Sequence, residues 1–90
     1  MSIYRQRIEK EETLKIQNIS NHLGALKDLK VTIEVDYPDK KGLLPQIEKE
    51  IEKMECEKKQ WWNQISQKYH YDFDERAFMN FGDSEITVML

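Results

Sequence analysis

Residues 29–37, LKVTIEVDY, set Leu29, Val31, Ile33, Val35 and Tyr37 in strict alternation with Lys30, Thr32, Glu34 and Asp36. A two-residue period is that of a strand with one apolar face, so the stretch predicts a strand buried on one side. Pro38, Asp39 and Gly42 follow as a turn, and Pro45 suits the first turn of a helix, where a missing N–H costs nothing.

Working outward, residues 1–28 carry Ile16, Ile19, Leu23 and Leu26 at alternating spacings of three and four, a helical period. Gly24 offers a cap near Leu23, or the helix runs to about Asp28. Residues 2–9 fit either a thin continuation of this helix or an edge strand. Past Pro45 neither proline nor glycine interrupts the chain as far as Tyr69. RAFMNF and EITVML then flank GDS and read as two strands joined by a tight hairpin. The expected fold is a single α+β domain over residues 1–90. Two helices, the second long, pack on one face of a small, mainly antiparallel sheet of about three strands, in the order α-β-α-β-β.

The long helix has an apolar seam: Leu44, Ile47, Ile51, Met54, Lys58, Trp61 and Ile65 are spaced three, four, three, four, three and four. Its first half is narrow, which fits one neighbouring helix. In its second half Trp62 and Tyr69 lie about 100° around the axis from the Trp61 line, which broadens the face to suit a sheet. The tryptophan pair thus serves packing, or leaves one indole exposed as a contact anchor. A helix over 43–69 spans about 40 Å, whereas a compact domain of this length is about 30 Å across. Some of it must overhang, bend or meet a partner.

Glu48, Glu50, Glu55 and Glu57 flank the seam. Two copies of the helix would oppose glutamate to glutamate, so homo-oligomerisation through this seam is disfavoured. A basic helix fits better, and Arg5, Arg7, Lys10 and Lys15 supply one within the chain. Otherwise the acidic ridge faces outward toward a basic surface on another protein.

A formal charge of −3 and a pI near 5.4 disfavour direct nucleic-acid binding. Eleven lysines against three arginines, with nine isoleucines, hint at an AT-rich genome such as that of a Gram-positive bacterium or its phage. The lone Cys56 and the lack of a charged-then-apolar leader point to a reducing cytoplasm, and no apolar run is long enough for a membrane. In HYDFDE, an extended chain would align His70, Asp72 and Asp74, too few groups for a metal site on their own. Cys56 between Glu55 and Glu57 is poorly placed for a nucleophile, because neighbouring carboxylates raise a thiol pKa. We therefore expect no catalytic residue, metal or cofactor.

The expectation is a small non-enzymatic interaction protein, a regulator or inhibitor of phage or mobile-element type. It would bind a basic surface of a nucleic-acid-handling protein through Glu48, Glu50, Glu55, Glu57, Lys58, Trp61 and Trp62. The alternatives are a structural subunit that self-associates through its sheet edge or C-terminal strand, and a weak single-stranded nucleic-acid binder using the tryptophans with Lys58 and Lys59.

Overall fold

A computed structural model describes residues 2–90, and in it LKVTIEVDY is helical. The chain runs β1 (Ile3–Arg7), α1 (Lys10–Asp36), a 3-10 segment (Pro38–Leu43), α2 (Leu44–Tyr69), β2 (Ala77–Asn80) and β3 (Glu85–Met89). The architecture is α+β with two helices and a three-stranded antiparallel sheet, but the order is β-α-α-β-β.

The expected strand at 29–37 is thus corrected, and the cause is a second period running through the same residues. Ile16, Ile19, Leu23, Leu26, Lys30, Ile33 and Tyr37 are spaced three and four throughout, matching the α2 seam. Ile16, Ile19, Leu23 and Ile33 are buried on α1, as are Ile47, Met54, Trp61 and Ile65 on α2. Of the five residues on the proposed strand face only Ile33 is covered, while Val31 is 57% and Val35 70% exposed. An antiparallel helix satisfies the longer pattern, and tertiary packing overrides the local β preference.

Gly24 does not cap the helix but lies within α1. A Cβ added at Gly24 would meet nothing within 4 Å. Gly24→Ala is therefore expected to stabilise the fold by about 0.5–1 kcal/mol through the unfolded chain's lost freedom. Urea denaturation followed by circular dichroism checks this, and a lower midpoint would contradict it.

Residues 3–7 resolve as a strand. β3 lies between β1 and β2, with Tyr4 opposite Val88 and Met79 opposite Ile86. EITVML therefore supplies the central strand, paired on both sides within the chain, and has no free edge. The free edges belong to β1 and β2. Ile86 and Val88 are almost fully buried under the helices, meeting Ile16, Ile19, Leu23, Trp61, Ile65 and Phe73 in one core. Phe78, Met89 and Ile3 remain exposed.

The molecule measures 49 × 25 × 20 Å with a radius of gyration of 16.0 Å, against about 12 Å for a spherical chain of this length. The distal half of the helical pair accounts for the excess, since Ile33 and Ile47 are buried outside the main core. Among the described residues no helix is long and apolar enough to cross a membrane.

Candidate interaction surface

Trp61 and Trp62 separate into two roles because consecutive helical residues point about 100° apart. Trp61 faces the core, 2% exposed, and its Nε1–H donates to the Glu12 carbonyl oxygen at 3.1 Å. Trp62 is half-buried, with its ring edge-on to Trp61 at 4.9 Å and tilted against Phe73 at 6.0 Å.

The loop after α2 is held by aromatic contacts. His70 ends the helix at φ 53°, in the left-handed region. Tyr71 then stacks on Tyr4 at 4.2 Å, and the Phe73 amide donates to Ser66 Oγ at 3.3 Å. HYDFDE is a loop and not the extended strand that would align His70, Asp72 and Asp74. Asp74 instead clasps the Arg76 guanidinium at 2.8–3.2 Å, and those hydrogen bonds hold its carboxyl below the usual aspartate range. Among the described residues, no group of three or more His, Cys, Asp or Glu is placed to hold a metal ion.

Between the helical pair and β2 lies an open groove of about 760 Å³. Leu23, Trp62, Phe73 and Met79 contribute to its lining, with Phe78 and Phe81 at the strand side. Lys27, Lys58 and Lys59 also line it, as do Glu55, Asp74 and Glu75. Phe78 is 51% and Phe81 38% exposed; opposite Thr87, the Phe78 ring stands on the sheet face away from the helices and borders the groove at the β2 edge.

The expected ridge residues divide. Glu48 lies 3.4 Å from Lys30 and Glu55 lies 3.5 Å from Lys27, both lysines on α1. Glu50 faces Lys53 of its own helix at 3.8 Å, and Glu57 is half-buried without an ion pair among the described residues. Lys58 and Trp62 line the groove, while Trp61 belongs to the core. The basic partner of α2 is thus Lys27 and Lys30, not Arg5, Arg7, Lys10 and Lys15. Arg5 and Arg7 sit on β1, where Arg5 faces Glu85 at 3.8 Å. These pairs are solvent-exposed, each worth a few tenths of a kcal/mol, roughly, and they orient the helices more than they stabilise them.

Glu12 is a junction that sequence reasoning missed. Its carboxylate accepts the Glu9 amide at 2.9 Å, the Tyr69 hydroxyl at 2.6 Å and Lys68 Nζ at 3.0 Å. Burial works to raise its pKa, but these hydrogen bonds prevail and lower it, while burial and the Glu12 bond raise that of Tyr69. The available signal was slight: Glu9 and Glu12 at capping-box spacing. No family model, curated protein or solved structure matches the chain.

Proposed function

We propose that this chain is a small non-enzymatic protein-interaction module, a regulator or inhibitor that acts by occupying a surface of another protein. One observation carries the reading: an open groove whose lining includes the half-buried Trp62 together with Phe78 and Phe81, both in contact with water. Contiguous exposed apolar surface on a small charged protein marks contact sites, and tryptophan is enriched among residues that dominate binding. The narrower version, a basic nucleic-acid-handling partner on the acidic ridge, would draw on Glu57 first, because Glu48 and Glu55 face lysines of α1 and Glu50 faces Lys53 of its own helix.

Selection of displayed random peptides on the 90-residue chain tests the proposal. Selected peptides are expected to lose about tenfold or more in affinity with Phe78→Ala. The double variant Glu50→Lys/Glu57→Lys should bind them unchanged. Phe78 is exposed, so its loss leaves the fold intact, as circular dichroism will verify. Peptides indifferent to Phe78→Ala but abolished by the glutamate reversal would move the contact surface to the ridge and overturn the groove assignment.

A further inference from the structure

We propose that the groove takes an extended, acidic segment of a partner protein, which adds to the free edge of β2 as a fourth strand. The inference rests on the groove being the contact surface and names what fills it.

The hydrogen-bond phase of the sheet identifies the free groups. The Met89 amide donates to the Arg76 carbonyl at 3.4 Å, and these residues are opposite each other in the β2–β3 register. Hydrogen-bonded pairs alternate along an antiparallel ladder, so Phe78 and Asn80 exchange bonds with Thr87 and Glu85. Ala77 and Met79 therefore direct backbone groups away from β3. The Ala77 amide is taken by the Asp74 carbonyl at 3.0 Å, which leaves the Ala77 carbonyl and both Met79 groups for an incoming strand.

The two sheet edges differ in protection. By the same alternation, fixed by Ile8 donating to Ser84 and Leu90 to Ser2, the outward groups of β1 belong to Ile3, Arg5 and Arg7. Two arginines guard that edge, a common defence against unwanted pairing. β2, with the sequence AFMN, carries neither charge nor proline, and the groove runs beside it.

Charge selects the occupant. Of the acidic groups lining the groove, Glu55 faces Lys27 and Asp74 clasps Arg76. Lys58 and Lys59 have no ion pair among the described residues, against Glu75 alone. An incoming strand with apolar residues at alternate positions would meet Leu23, Trp62 and Met79, and carboxylates at its ends would meet the two lysines. A second copy suits the site less well, because two-fold pairing of β2 with itself would bring Lys58 and Lys59 of both copies to one shared groove.

The probe is a short peptide alternating valine with threonine and ending in glutamates, compared with a counterpart ending in lysines. Saturable change in tryptophan fluorescence is expected with the acidic peptide, binding about tenfold tighter than the basic one. In Lys58→Glu/Lys59→Glu, both exposed positions, the preference should reverse. Met79→Pro should weaken binding about tenfold, since it removes an N–H that an added strand needs and the β3 ladder does not use. Equal binding of both peptides, or no reversal, would overturn the acidic assignment. Undiminished binding in a folded Met79→Pro protein would overturn strand addition. A dimer dissociated by Met79→Pro would make a second copy the occupant. Quenching by a single-stranded oligonucleotide that displaces the peptide would replace the protein partner with nucleic acid. If selected peptides depend on Phe78 but not on Met79→Pro, the groove stands and only the fourth strand falls; if they depend on neither, both readings fall.

Discussion

Trp61→Ala is expected to remove a large part of the protein's folding stability. The side chain is 2% exposed at the point where α1, α2 and the sheet meet, and deleting a buried tryptophan costs about 3–5 kcal/mol. A domain of this size has a total stability of roughly 5–13 kcal/mol, and an elongated one with a small core belongs toward the lower end. The substitution also removes the Nε1–H donor to the Glu12 carbonyl, and with it a tie between the first turn of α1 and the last third of α2. Trp62→Ala should cost markedly less, because its ring is only half-buried. Equilibrium urea curves for the two variants measure the difference. An equal or larger loss for Trp62→Ala would contradict the division of roles between the tryptophans.

Glu12→Ala should destabilise by about 2–3 kcal/mol, since hydrogen bonds to a charged group are each worth more than neutral ones. Its carboxylate is 17% exposed and ties the Glu9 amide, the Tyr69 hydroxyl and Lys68 into one junction. The sign of its pH dependence follows from the lowered pKa. Stability from Glu12 is fully present above the ordinary glutamate value of 4.5 and is lost as pH falls through the lower folded value. Tyr69 acts in the opposite sense, because its folded pKa is raised above 10.0. Its contribution is present below that ordinary value and disappears as pH rises through the folded one. Asp74, also lowered, adds to the acid limb through Arg76. Thermal melts between pH 3 and 7, a range that brackets the ordinary carboxylate values, should show a shallower acid decline in Glu12→Gln than in the parent. Parallel curves would show that the junction does not carry this dependence.

Much of the fold was legible in local patterns. The α2 seam, the strand pair around GDS and the overhang all follow from spacing and length, because each depends on neighbours within a single segment. LKVTIEVDY misled because two periods coexist in it. Alternation fits nine residues, but the three-four spacing continues from Ile16 and finds its complement only in α2. Reading it as a strand displaced β1 and suggested the wrong basic segment. Lys27 and Lys30 become partners of Glu55 and Glu48 only when α1 runs on past Gly24. The groove was partly visible in Trp62 and Lys58, but Leu23, Phe73 and Met79 come from separate segments and meet only on folding. Glu12 was hidden for the same reason, since Trp61, Lys68 and Tyr69 reach it from the far end of α2.

The groove beside β2 and the pairing of Glu48 and Glu55 with lysines both depend on α1 continuing as a helix alongside α2. Backbone Cα chemical shifts of the labelled chain in solution test this directly. The account predicts unbroken helical deviations from Lys10 to Asp36, with Lys30 close to Glu48. Strand-type deviations over Leu29–Tyr37, with cross-strand contacts in place of helical ones, would contradict it and return Glu48 and Glu55 to the open ridge.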